Sequence, residues 1–537
     1  MTTLVPRPPY TNEELRQLYP KRLELQLVQI FLRHGMARTN SCLYEIPEYW
    51  IAPMYLTLGH PPSSPFPDWP YCNIASRLAA MASSRQDLST WDTFQWKRRM
   101  ERFGDADEPV IALGPKGEVD GICQLGELTD KGRQTTFELG QRLRYLYVER
   151  LGFMPEIISN TDNIYLRSTP IPRALESLQS AFWGMYPPSA RTADFVRPSI
   201  VVRSAAEETL FPNEGGCHRF RQLARLFAQR AADKWNDSEE MAYLNSTWSK
   251  WMPADSPRVA VDSRPRLSGI MDTVASTYAH GPNTRLPAEF YDPKARNIAD
   301  KIAVDEWFTG AQESREYRKL AIGALMGDVV ERMVHTAAYN GWRPMAAASP
   351  SGGESPAVKL AMSGCHDTTL ASMLASIGAF KDEKWPPYTS SIAVELFKDV
   401  SEPAGGMSGS PAGLVLEEFS GPSTQKPASD KPSFLSFLNG KKKQPASQPA
   451  SLARSSQASQ PSLSKHYVRI RYNDKPVTIP GCAANPANHL PGDKSFCTLE
   501  AFKEIVDKFT PADWRQECGM NLDKGMFPEG EQQPAGY

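Results

Sequence analysis

Leu25-Gln-Leu-Val-Gln-Ile-Phe-Leu32 runs directly into Arg33-His34-Gly35. A short, mostly apolar run that ends abruptly on charged and polar residues reads as a buried strand carrying functional groups at its carboxyl end. The same pattern recurs twice further along. Ile164-Tyr-Leu166 precedes Arg167-Ser-Thr-Pro-Ile-Pro-Arg173, and Val358-Lys-Leu-Ala-Met362 precedes His366-Asp367. In open α/β sheets, ligands collect outside the carboxyl ends of the strands, so clusters far apart in the chain become neighbours there.

Helical patterns lie between these strands. Thr129 to Leu151 places Phe137, Gly140, Leu143 and Tyr147 near one face. A second helix is expected from about Pro172 to Trp183, and a third over Thr368 to Ile377, with Leu370, Met373, Leu374 and Ile377 at helical spacing. The span from Glu207 to Thr336 is mainly helical and contains no strong strand. Strand–helix alternation with one long helical interruption predicts an α/β sheet domain (19–206 and 337–518) with an inserted helical cap (207–336).

One stretch stands apart. Residues 401–465 are rich in Ser, Pro, Gln, Gly and Ala, with a lysine run at Lys441, Lys442 and Lys443. Such a composition buries too little apolar surface to offset its ordering entropy, so a mobile, passive insert is expected. Its flanks, Ser391-Ile-Ala-Val-Glu-Leu-Phe-Lys398 and Tyr467-Val-Arg-Ile-Arg-Tyr472, alternate apolar and polar residues and read as antiparallel neighbouring strands. Ala346 to Pro356 reads as a shorter surface loop.

Bulk properties narrow the function. The chain has 537 residues, 41% hydrophobic and 23% charged, with a net charge of −1, which disfavours a nucleic-acid or membrane-surface partner. No apolar run approaches the roughly 18 residues of a membrane span. The amino terminus has no apolar core of a secretory signal and carries Glu13 and Glu14 early. Eight scattered cysteines without a CxxC do not make a disulfide scaffold, so a reduced, intracellular, cytoplasmic protein is the default expectation. Cys482 and Cys497 are close enough in sequence to pair in an oxidising compartment.

The clusters suit a phosphate monoester. Such a substrate is a dianion, and its transfer is catalysed mainly by positioning and charge stabilisation. Arginines offer planar, permanently charged donors to phosphate oxygens. Arg173 falls in the first turn of its helix, away from the stripe of Leu175, Leu178 and Phe182, and is free to face a ligand. A histidine serves as a covalent nucleophile, and a carboxylic acid protonates the departing alkoxide. Gly35 is expected to let the backbone approach the phosphate. Alone, an Arg-His-Gly tripeptide arises by chance in roughly one such chain in a few dozen. Isolated Arg167, Arg173 or His366-Asp367 reads as a solvated side chain or a helix cap. Their joint order, each at a strand end, favours one shared site.

At these residues the chain resembles the histidine acid phosphatase family, and within it the lysophosphatidic acid phosphatase branch. The likeness rests on Val28 to Gly35, Gly126 to Gly132 with Glu138 to Arg144, Leu166 to Ser177, Phe211-Pro-Asn213 with Cys217, and Cys365 to Leu370 continuing to Phe380 and Trp385-Pro-Pro387. It spans about Tyr19 to Cys518, interrupted by the insert. The resemblance implies a mixed central α/β sheet flanked by helices, with a helical cap. It further implies that Arg33 and Arg173 bind phosphate, His34 is phosphorylated, His366 assists binding and Asp367 is the acid. Neither metal nor cofactor is implied, and the substrate is a small phosphate monoester; a mitochondrial location fits the same resemblance.

The motif departs from the family at one point. Ala37 stands where a second arginine is expected, and Arg38 comes one residue late, with Thr39 or Asn40 in place of a proline. Either Met36 is an extra residue taken up as a bulge, leaving Arg38 a phosphate ligand, or the phosphate grip is weaker. Rival readings are a phosphoglycerate-mutase-like transferase, disfavoured by Asp367 directly after His366, a phytase-like phosphatase, and a catalytically weakened binding protein.

Overall fold

The first apolar run forms strand β1, Leu23–Arg33, and both of its faces are covered. Leu27 and Phe31 point into one hydrophobic core, while Val28, Ile30 and Leu32 point into another. Each large apolar side chain taken from water contributes about 1.5–3 kcal/mol, so an apolar run of this kind is stable only in the middle of a sheet covered on both sides. The one polar residue in the run facing the first core, Gln29, is satisfied there. Its amide donates to the Val329 carbonyl at 3.0 Å and its oxygen accepts from Arg332 at 3.1 Å.

The computed structural model describes residues 7–37, 101–103, 106, 108–111, 123, 126–281, 286–339, 341–344, 356–381, 384–401, 463–525 and 533–537. Among them the central sheet has nine strands: β1, β2 (Ile164–Ser168), β3 (Ile200–Val202), β4 (Leu360–Cys365), β5 (Ser391–Asp399), β6 (His466–Tyr472), β7 (Lys475–Pro476), β8 (His489–Leu490) and β9 (Asp493–Thr498). Their order is β8-β9-β6-β5-β1-β4-β2-β3, with β7 paired to β6. The sheet is mixed, and β1 is its seam. On one side β1 runs parallel to β4, with Val28 opposite Leu360, and β2 and β3 continue in parallel. On the other side β1 runs antiparallel to β5.

Helices cover both faces. Helices α1 (Asp130–Leu143) and α2 (Pro172–Met185) bury Leu139, Leu143, Leu178 and Phe182 against the second core. The first core takes Val329 and Met333 of α4 (Ala324–Tyr339), Leu370 and Leu374 of α5 (Asp367–Ser376), and Phe502 and Val506 of α6 (Leu499–Asp507). The long helix expected over 129–151 instead changes winding after Leu143, continuing as a π-helical segment over Arg144–Arg150. Between β3 and β4 the described elements are all helical. They divide between two cores. Helix α3 (Leu267–His280) belongs to a separate cluster around Trp248, Ile270, Phe290 and Ile302, whereas Phe308 and the residues that follow pack on the sheet.

β5 and β6 pair antiparallel from Ile392–Tyr472 to Lys398–His466, as their alternation predicts. Most of the low-complexity insert between them lies outside the described residues. Leu463 to Lys465, expected within that insert, instead belong to the fold: Leu463 is buried in the first core, and the Asp399 amide donates to the Lys465 carbonyl at 2.7 Å. The expectation of a reduced chain is also corrected. Cys217 bonds to Cys518 and Cys482 to Cys497. The first pair is 301 residues apart in sequence, so no spacing signal reveals it. Among the described residues, no helix is long and apolar enough to cross a membrane.

Candidate active site

Because β1, β4 and β2 are parallel and in register, their carboxyl ends lie side by side. Arg33 is opposite Cys365, and Gly364 is opposite Ser168. The chain leaving each strand therefore brings His34, His366-Asp367 and Thr169 to one edge. Arg173 joins them from the second position of α2, whose first residue is Pro172, a proline suited to a helix start. His366 caps α5 and Asp367 opens it. Five of the six predicted site residues thus converge; the sixth, Arg38, lies outside the described residues.

The hydrogen bonds fix the state of His34. Its Nδ1 is 2.7 Å from the Gly35 carbonyl oxygen, which can only accept, so Nδ1 carries the proton. The Nε2 lone pair is left to accept, and Arg173 Nε donates to it at 3.1 Å. The His366 ring lies 5.4 Å from that of His34, and its Nε2 is 3.0 Å from Thr169 Oγ1. Arg33 lies over the Tyr388 ring, its Cζ 4.1 Å from the ring centre. Arg33 Nη1 donates to the Pro386 carbonyl, and Nη2 meets the Asp367 carboxylate at 2.7 Å and that of Asp272 at 3.8 Å. Among the described residues, its Nε is buried without a hydrogen-bond partner. Asp367 also accepts from the Trp385 indole at 2.9 Å and the Thr368 amide at 2.8 Å.

Burial and positive neighbours act together on the histidines. Burial, then Arg173, Arg33 and His366, push the pKa of His34 well below the usual histidine range. Burial and Arg173 bring His366 down to about 3, against the opposing pull of Asp367. Both rings are therefore neutral at ordinary pH. The two carboxyl groups diverge. Burial raises the pKa of each. At Asp367 the Arg33 ion pair and the Trp385 hydrogen bond outweigh burial and hold it below the usual carboxylate range. At Asp272 burial wins and its pKa lies above that range.

The role expected of Gly35 is different in the structure. A Cβ there would come 2.2 Å from the Gly132 carbonyl oxygen, so the glycine admits the first turn of α1 rather than a ligand. The Gly35 amide donates to Ser177 Oγ at 3.0 Å. Arg167 is likewise no ligand-facing group. It is buried within β2 and pairs with Glu208 at 2.6 Å. Met36 is buried against Ala279 of α3 and Tyr388, and its carbonyl accepts from the Thr129 amide at 2.9 Å. The side chains that sequence reasoning missed are Asp272, Trp385, Tyr388 and Thr169. Trp385 lies in a quoted family stretch, but Asp272 sits in an ordinary amphipathic helix with no signal of its own. Among the described residues, no group of three or more His, Cys, Asp or Glu is arranged to hold a metal ion.

The sequence pattern of the histidine phosphatase superfamily (branch 2) matches residues 24–405. A probable acid phosphatase of Schizosaccharomyces pombe is 34% identical over 505 residues, covering 93% of this chain and 95% of that protein. Human lysophosphatidic acid phosphatase type 6 is 28% identical over 277 residues, 51% of this chain and 57% of the human protein. Among solved structures, Hafnia alvei phytase in complex with tartrate superposes with a TM-score of 0.49 at 12% identity, covering 93% of this chain and 99% of the phytase.

Proposed function

This chain belongs to the histidine phosphatase superfamily, branch 2, and is a phosphomonoester hydrolase; from that premise we propose that His34 is its nucleophile and Asp367 its proton donor. The observation that carries the assignment is the orientation of His34. Its Nδ1 proton is committed to the Gly35 carbonyl, and the Nε2 lone pair accepts from Arg173, with His366 and the Arg33 charge beside it. Substrate phosphate takes the arginine donors, including the unpartnered Arg33 Nε. Arg38 joins them on the family spacing, with Met36 as the extra residue.

In the first step Nε2 attacks phosphorus. The P–N bond forms, the P–O bond to the alcohol breaks, and Asp367 passes its proton to the departing oxygen. In the second step water attacks the phosphohistidine, Asp367 takes a proton back, and the electron pair of the P–N bond returns to Nε2. Asp367 must be protonated at the start, although Arg33 holds it ionised in the free enzyme. Binding resolves this, because a phosphate dianion on Arg33 removes that stabilisation. The substrate class is small phosphate monoesters. Lysophosphatidic acid is proposed from likeness to the human relative. Disulfides such as Cys217–Cys518 and Cys482–Cys497 favour a compartment that keeps thiols oxidised.

His34→Ala tests the assignment. Wild type turns over p-nitrophenyl phosphate and, quenched in alkaline denaturant during turnover of a 32P-labelled substrate, retains label. The variant loses activity by roughly three orders of magnitude or more and retains none. Labelled His34→Ala protein overturns the nucleophile.

A further inference from the structure

Asp272 is a half-buried carboxylate at the reaction centre that the assigned chemistry leaves unused. It comes from α3, outside the sheet, and its Oδ1 accepts from the Tyr388 hydroxyl at 3.0 Å. The same oxygen lies 3.8 Å from Arg33 Nη2, the nitrogen that meets Asp367 at 2.7 Å. One guanidinium nitrogen therefore serves two half-buried carboxylates. The charged and titratable groups that act on Asp272 are Arg33 from β1, Arg173 from α2, Asp367 from α5 and Tyr388 from the segment before β5.

We propose that Asp272 is a positioning residue that, with Asp367, forms a carboxylate pair across Arg33 and thereby keeps the leaving-group proton on Asp367 once substrate is bound. This rests on the assignment of Asp367 as proton donor. In the free enzyme Arg33 offsets both carboxylates. When phosphate oxygens occupy the Arg33 donors, two like charges face each other beside a dianion with their shared counter-ion withdrawn. Two carboxylates so placed do not both stay ionised, and one proton is retained on the pair. Arg33 sets which member holds it: its 2.7 Å pair with Asp367 is the stronger of the two, so in the free protein Asp367 is the ionised member, while burial raises the pKa of Asp272. Burial and Asp272 keep the phenol protonated, so it donates to Asp272 and favours the ionised form there. Once phosphate withdraws Arg33, Asp367 loses more stabilisation than Asp272, so the proton passes to Asp367, next to the departing oxygen, while Tyr388 stabilises the charge left on Asp272. On P–O cleavage it moves to that oxygen, and the pair is left as two carboxylates until water returns a proton to Asp367.

Asp272→Asn removes the negative charge but keeps the shape. The readout is the pH profile of kcat, at saturating substrate, for glycerol phosphate and for p-nitrophenyl phosphate. Removing a nearby negative charge lowers the pKa of bound-state Asp367, so its proton is lost at lower pH. The alkaline limb for glycerol phosphate should move down by about one unit or more, a loss of about tenfold on that limb. The limb for p-nitrophenyl phosphate, whose leaving group needs little protonation, should stay in place whatever its height. Asp272→Glu should move the glycerol phosphate limb back towards wild type. A uniform loss on both substrates with unmoved limbs overturns the inference and leaves Asp272 a packing residue. Asp367→Asn slowing both substrates equally overturns the acid assignment itself, and this inference with it.

Discussion

Glu395 lies on β5 opposite Val28 of β1, a short way along the same strand pair from Arg33. Glu395 is 0% exposed and Arg33 only 3%, so both charges are out of water. Their surroundings differ. One Glu395 oxygen accepts from Arg469 at 2.7 and 3.0 Å and from Arg471 at 3.2 Å. The other accepts from Tyr19 at 2.6 Å, Tyr147 at 2.8 Å and Arg471 at 3.1 Å. Burial raises its pKa, but Arg469 and Arg471 outweigh burial and bring it down to about 2. This cluster closes on itself. At the site, among the described residues, Arg33 keeps an unpartnered Nε, Arg173 Nε donates to a neutral histidine, and both histidines are held uncharged by burial and by the neighbouring arginines. The Glu395 charge is satisfied from within, whereas Arg33 and Arg173 keep donor capacity that an anion can take.

The comparison breaks first at Glu395. Glu395→Ala leaves Arg469 and Arg471 buried without their counter-ion, at a cost of about 3–5 kcal/mol, read from the urea midpoint. Activity per folded molecule should change little. The pH dependence follows from the sign of the shift. Because the native pKa lies below the usual value of 4.5, this stabilisation is complete above about pH 4.5 and fades as pH falls towards 2. The stability gap between wild type and Glu395→Gln should narrow over that window. A constant gap would show that the carboxylate charge is not what the arginines need.

Arg38→Ala is the next smaller effect and sharpens the other side of the comparison. A charge-assisted contact to the reacting phosphate is worth about 1.5–3 kcal/mol, more where charge stabilisation drives catalysis. Its loss should lower kcat/KM by about ten- to several-hundred-fold with little change in the thermal midpoint. An active enzyme indifferent to this substitution refutes Arg38 as a phosphate ligand. The smallest effect is expected from replacing residues 402–462 with a short turn. The β5–β6 pair is held by its ladder and by the Glu395 cluster, and loop length itself costs little. Activity and thermal midpoint should barely move; a large drop in either shows that the insert supports the fold or the site.

Much of this architecture was legible in the chain because period and placement are local signals. The run to Leu32 showed a strand covered on both sides, and the alternation about Val394 and Ile470 showed the pairing across the insert. Arg33, His34, Arg173, His366 and Asp367 were legible because each follows a strand whose end could be read. Asp272 was not, because its approach to Arg33 depends on how α3 lies over the sheet edge, which no local pattern encodes. Gly35 was misread for the same reason, since the atoms it makes room for belong to Gly132. The Cys217–Cys518 bond joins helix ends whose proximity appears only after the whole chain has folded.

The central place of β1 also sets a timetable. Its neighbours in the sheet are β4 and β5, and Val28 pairs with Leu360 and Glu395. On a ribosome adding roughly 5–20 residues per second, the strand that ends at Arg33 waits some 20 seconds to a minute for its first partner to be made. Throughout that interval Leu27, Val28, Ile30, Phe31 and Leu32 form a continuous apolar edge with nothing native to pair with. The strand that leads into His34 is thus made long before either of its sheet partners, and its apolar residues are open to mispairing for that interval.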